Sequence, residues 1–174
     1  YTKIADSVNI PAILYNVPSR TGVNIKTETY AALAKHPRIV GVKEASGDLS
    51  AILRLRAATG DALAVYSGND DQIVPILSLG GSGVISVLSN VAPRATHDIC
   101  RHYFDGNAAE AGRMQVAYAD LIDALFCEVN PIPVKTAMRR LGYETGPLRM
   151  PLSEMEPANA AKLDAALKAH GLLK

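Results

Sequence analysis

Short apolar runs of β type alternate with helix-type stretches from Ala12 to the region of Phe104, and no other feature narrows the possible folds as far. The runs are Ala12 to Val17 (AILYNV), Arg38 to Glu44 (RIVGVKE), Ala62 to Tyr66 (ALAVY) and Gly83 to Val87 (GVISV). Between them lie three helix patterns. The first is Asn24 to Lys35, with Thr27 or Asn24 as its cap and Tyr30, Leu33 and Ala34 on its inner face. The second runs from Leu49 to the terminator Gly60 and is capped through Ser46-Gly47-Asp48; the third, Gln72 to Leu79, opens on SGNDD and closes at Gly80-Gly81. Strands that alternate with helices in this way make right-handed crossovers and a parallel sheet. A doubly wound open sheet is the competing arrangement, but the GxGxxG turn expected after its first strand is absent. The GGSG cluster at Gly80 to Gly83 precedes a strand and reads as an αβ turn.

From Asn107 onward only helices are expected. Met114, Ala117, Tyr118, Leu121, Ile122 and Leu125 form the stripe of one long amphipathic segment, followed by a helix after Pro133 and a last one from Pro157 to Ala169. The expected division is therefore residues 1–106, four βα units, and residues 107–174, a helical appendage. Eight such units closing into a barrel need ~250 residues, whereas the chain has 174. The expectation is half of a (β/α)8 barrel, with YTKIADSV as the later turns of a helix that begins upstream.

Composition removes several classes of function. A formal net charge of +1 with interspersed acids and bases provides no field for nucleic acid or an anionic membrane. No apolar run approaches the ~18 residues of a membrane span. Cys100 and Cys127 form no CxxC pair, so reduced thiols in a cytoplasmic protein are expected rather than a redox or metal motif.

Within the second run, IVGVKEASG, stands a single lysine, Lys43. A strand of a covered parallel sheet is nearly all apolar, so an ammonium there must be paired, neutralised or used. Strand geometry sends Ile39, Gly41 and Lys43 to one face and Val40, Val42 and Glu44 to the other. Desolvation disfavours a charged amine, and a neutral amine attacks carbonyls to form a Schiff base. The structural alternative is a strand-end lysine that snorkels to solvent. In a parallel barrel, chemistry gathers at the C-terminal ends of the strands. There the sequence offers Tyr15, Asn16 and Arg20 after the first run, Lys43 and Glu44 on the second, Gly68 to Asp71 after the third, and Ile85 to Asn90 at the fourth. A phenol beside an amine suits the proton transfers of imine formation, and the planar fork of Arg20 suits a carboxylate.

At these residues a resemblance becomes specific. YNVPSRTG (Tyr15 to Gly22), GVKEASGD (Gly41 to Asp48), SGND (Ser67 to Asp70), GVISVLSNVAP (Gly83 to Pro93), NPIPVKTAM (Asn130 to Met138) and LRMPL (Leu148 to Leu152) occur in that order. Together they resemble the second half of the dihydrodipicolinate synthases, class I aldolase-type enzymes of lysine biosynthesis. The resemblance implies that Lys43 is the Schiff-base lysine that binds pyruvate, that Tyr15 relays protons, and that Arg20 receives the carboxylate of aspartate semialdehyde. It implies that Ile85 and Gly68 line the pyruvate pocket with backbone, that no metal or organic cofactor takes part, and that the enzyme is a cytoplasmic homotetramer. It further implies a longer polypeptide, whose first four βα units hold two threonines and a cross-subunit tyrosine of the site. N-acetylneuraminate lyase and the keto-sugar-acid aldolases share the lysine, the tyrosine and the barrel, and remain alternatives. A non-catalytic fragment that serves assembly is the reading from a different class.

Overall fold

The structure, a computed structural model, describes residues 1–174. It divides into two units, Tyr1–Ile85 and Ser86–Lys174. In the first unit, helix α1 (Thr2–Asp6) leads into strand β1 (Ala12–Asn16), then α2 (Pro18–Thr21) and α3 (Thr27–Leu33). Strand β2 (Ile39–Glu44), α4 (Leu49–Thr59), β3 (Ala64–Ser67), a 3-10 turn over Asp70–Gln72, α5 (Ile73–Ser78) and β4 (Gly83–Val84) complete it. All pairings are parallel and the strands lie in chain order, β1-β2-β3-β4. Sequential order without a reversal is the βα-barrel pattern and has no switch point of the doubly wound kind.

One face of this sheet is covered. Leu14, Val42 and Val65 point from the strands into a core built with Ala5 of α1, Tyr30 and Leu33 of α3, Ile52 and Leu55 of α4, and Ile76 of α5. The other face of the same strands is open, with Ile13 half exposed and Val40 exposed. Local chemistry explains the element ends. The Asp48 carboxylate accepts the Ala51 N–H at 3.0 Å and starts α4, which stops at Gly60 with φ of 52°.

Several expected boundaries shift. Lys26 caps α3 without a side-chain bond, and neither Thr27 nor Asn24 does so; the Asn24 Oδ1 is taken by the Asn16 amide at 2.8 Å. Pro18, read as the end of the first strand, sits in the first turn of α2, where its missing N–H costs nothing. Strand β4 is two residues long, because the chain turns into a 3-10 helix at Leu88–Asn90 before reaching the expected length. Strict alternation also fails at the start of β2. Ala12 pairs with Ile39 but Ile13 pairs with Gly41, so Val40 is an extra residue in the ladder. Ile39 consequently enters the helix-side core with Val42, and Val40 is left exposed.

The second unit holds α6 (Pro93–Phe104), α7 (Ala108–Ala117), α8 (Ala119–Leu125), α9 (Ile132–Arg140) and α10 (Pro157–Ala169). Its core gathers Leu88, Leu121, Leu125, Ala137, Leu163 and Leu167. Helix α6, grouped by sequence with the fourth βα unit, clusters with these helices. The single amphipathic segment expected through Met114 and Leu125 is two helices, broken at Tyr118. The Tyr118 ring stacks on His170 with centroids 4.5 Å apart, while Leu121, Ile122 and Leu125 turn into the core.

Two predictions follow from this packing. Ile52 is 1% exposed in the first core, and Ile52→Ala should cost about 2–5 kcal/mol, read as a fall in the urea midpoint at unchanged slope. In the second unit the His170 ring lies 2.8 Å from the Asp120 carboxylate and its hydrogen bond holds that carboxyl below the usual range, against the effect of burial. A depressed folded value gives stability that is complete above the unfolded value of ~3.9 and lost as pH falls through the folded value. Protection of residues 157–169 against hydrogen exchange, corrected for the intrinsic rate, should therefore fall slightly on acidification below about pH 4, the effect being small because Asp120 is largely exposed, and Asp120→Asn should abolish that acid limb.

Candidate active site

The open face of the sheet carries a row set by register. Tyr15 of β1 pairs with Lys43 of β2, Lys43 with Tyr66 of β3, and Tyr66 with Gly83 of β4. Directly opposite residues on neighbouring strands project to the same face, so a phenol, an amine and a second phenol stand side by side. The Lys43 Nζ lies 4.3 Å from the centre of the Tyr15 ring, within cation–π range. The lysine is half-buried rather than extended into solvent, and the expected neighbourhood of amine and phenol is present. The closed, dry pocket expected around it is not built by these four strands. Tyr15 is 48% and Ile85 39% exposed.

Gly68 follows β3 at the same level. Its N–H donates to the Glu44 carbonyl at 2.8 Å, and a Cβ built there would come within 2.6 Å of Ala45 Cβ and 3.2 Å of Lys43 Cε. Close approach, not an unusual φ, is why this position takes glycine. Ile85 lies just past β4, and its N–H donates to the Ser67 carbonyl at 2.8 Å. Only its carbonyl oxygen and side chain are left to face a ligand. Arg20 is an exposed residue of α2, the short helix that follows β1. Tyr15, Lys43, Gly68 and Ile85 thus share one end of the sheet, with Arg20 on the first connection beyond it.

Behind that end lies a group of residues whose association was not foreseen from the sequence. Glu44 is 2% exposed and its carboxylate accepts from three sides. The Asn16 amide donates to both oxygens at 3.0 Å, the Tyr30 hydroxyl to Oε2 at 2.8 Å and the Ser46 N–H to Oε1 at 2.8 Å. Asn16, equally buried, also accepts the Ile25 N–H at 3.1 Å. Burial, then the negative charge of Glu44 and the hydrogen bond to it, push the Tyr30 phenol far above the ordinary phenol range, so Tyr30 is a donor throughout the working pH range. The signal in the sequence was the position of Glu44, next to Lys43 but on the covered face, where a carboxylate requires donors. No cluster of His, Cys, Asp and Glu side chains is placed to hold a metal ion, and no helix is long and apolar enough to cross a membrane.

A sequential parallel sheet with a lysine and a tyrosine paired at its strand ends is the arrangement of a βα protein of the barrel type. The chain belongs to the dihydrodipicolinate synthetase family, whose profile matches residues 1–170. It is 53% identical over all 174 residues to the 4-hydroxy-tetrahydrodipicolinate synthase of Clostridium perfringens, of which it covers 60%. Among solved structures it superimposes on the dihydrodipicolinate synthase of Thermotoga maritima with a TM-score of 0.96 and 41% identity, covering 99% of this chain and 60% of that one. The enzyme of Acinetobacter baumannii, solved in complex with pyruvate, gives 0.94 and 40% over 99% of this chain and 60% of that one. The chain therefore spans about three-fifths of the length of these relatives.

Gly68→Ala should force the Lys43 stem or Ala45 to move, at about 1–3 kcal/mol of stability. Its mark is a change in the tyrosine near-ultraviolet circular dichroism at a retained far-ultraviolet spectrum.

Proposed function

We propose that this chain supplies the imine-forming half of a 4-hydroxy-tetrahydrodipicolinate synthase, its four βα units being strands five to eight of an eight-unit barrel. The observation that carries the reading is the Lys43 amine held 4.3 Å from the Tyr15 ring centre at the strand ends, with Gly68 against the lysine stem. Support comes from the family and from the pyruvate bound in the Acinetobacter baumannii relative.

In this mechanism the unprotonated Lys43 amine attacks the C2 ketone of pyruvate, and the carbonyl oxygen takes up protons and departs as water, leaving an imine. Tyr15 passes these protons, donating to the oxygen and accepting from nitrogen. Loss of a methyl proton converts the imine to an enamine, whose carbon adds to the aldehyde of aspartate semialdehyde while that oxygen is protonated. Arg20 receives the carboxylate of this second substrate. Its amino group then adds to the imine carbon and expels Lys43, closing the ring and regenerating the free amine. One water is released overall, and no redox change occurs. The same reading extends to a homotetramer in the cytoplasm, which rests on the family resemblance.

The test joins this chain to the segment of the Clostridium perfringens relative that the match leaves uncovered. Borohydride reduction with pyruvate, followed by peptide mapping, should add mass at Lys43 and nowhere else, and Lys43→Met should remove it. A folded, complemented barrel that takes no adduct refutes the proposal. Turnover with aspartate semialdehyde, and none with N-acetylneuraminate, separates the synthase from the lyase.

A further inference from the structure

The ladder between β1 and β2 has one irregularity and one clamp, and the reacting pair stands beside the clamp. At Val40 the pairing skips a residue. From Ile13 to Asn16 it then runs in regular register, so Tyr15 faces Lys43 and Asn16 faces Glu44. A slip of one residue would turn Lys43 into the core and Tyr15 away from it, and a strand already bulged is where such a slip is least costly. Backbone bonds alone do not choose between registers, since every N–H finds a carbonyl in either.

Side chains on the covered face make the choice. The Glu44 carboxylate lies at the end of β2 and is bonded to Asn16 of β1 and to Tyr30 of α3. Its Oε1 also holds the Ser46 N–H, which fixes the turn that follows the lysine strand. In a slipped register this carboxylate would leave the Asn16 and Tyr30 donors for the open face, and Lys43 or Ala45, neither of them an acceptor, would take its place beside Asn16. The backbone continues the same tie: Ala45 N–H bonds the Asn16 carbonyl at 2.9 Å, and Gly68 N–H bonds the Glu44 carbonyl at 2.8 Å.

We propose that Glu44 is a positioning residue for the imine chemistry: with Asn16 and Tyr30 it locks, from the far side of the sheet, the register that sets the Lys43 amine against the Tyr15 ring. The inference rests on the imine reading above. Glu44 touches no substrate and acts through its strand. Tyr30 is the outer anchor, because α3 is tied to the strand end by its hydroxyl.

The experiment uses the complemented barrel and two variants. Glu44→Gln replaces one acceptor oxygen by an amide that meets the donors of Asn16, Tyr30 or Ser46. Tyr30→Phe is the gentler variant, keeping the ring in the core and deleting only the hydroxyl. Both should form the borohydride-trapped adduct at Lys43 more slowly, by about tenfold to a hundredfold for Glu44→Gln and by less for Tyr30→Phe, with the pyruvate concentration for half-maximal trapping unchanged. A purely structural role would lower the unfolding midpoint and leave the rate per folded molecule as it was. Wild-type rates in either folded variant therefore overturn the inference while the imine reading stands. Absence of an adduct in the unsubstituted protein overturns both.

Discussion

Everything at the strand ends depends on the pleat that sends Lys43 and Glu44, neighbours in the chain, to opposite sides of one strand. A basic and an acidic side chain at adjacent positions would ordinarily meet other charges in solvent. Here the sheet separates them, and each acquires a different environment: the amine beside an aromatic ring on the open side, the carboxylate among donors on the covered side. The two sides therefore divide the work. Helices α3, α4 and α5 fix the backbone through the covered face, so the open face needs few constraints of its own. Placing reactive groups on a rigid element, with the restraint behind them, lets the site stay open to a ligand without becoming mobile.

The alternation of β-type and helix-type runs was enough to foresee parallel order and the sequence of the elements. It foresaw these well because each depends on local periodicity and on punctuation by glycine, proline and caps such as Asp48. What escaped notice depended on contacts between distant parts. The extra residue at Val40 leaves no mark in the run RIVGV, since an exposed and a buried valine look alike until the neighbouring strand is present. The break at Tyr118 was hidden for the same reason: the stripe of apolar residues continues through it, and only the ring of His170, far along the chain, draws the tyrosine away.

The neighbourhood of the candidate site was legible to a similar degree. Lys43 and Tyr15 could be named because a charged or phenolic residue at the end of an apolar run is unusual enough to require a reason. Glu44, Asn16 and Tyr30 could not be assembled, because each alone has an unremarkable explanation and only their convergence at 2.8–3.0 Å gives them a joint role. The pocket around the amine also could not be judged from sequence, since enclosure belongs to whatever packs on a face and not to the face itself. With a half-exposed Tyr15 ring, the open side of these strands is a surface rather than a closed cavity.

The skipped residue at Val40 has one more consequence. Because the pairing upstream of it and the pairing downstream are offset, the bulge works as a slack joint between the α3 connection and the lysine strand. A residue gained or lost ahead of β2 would change the pairing at this joint by making or erasing the bulge, and the amine would keep its address. The approach to the strand and the geometry at its tip are thereby uncoupled.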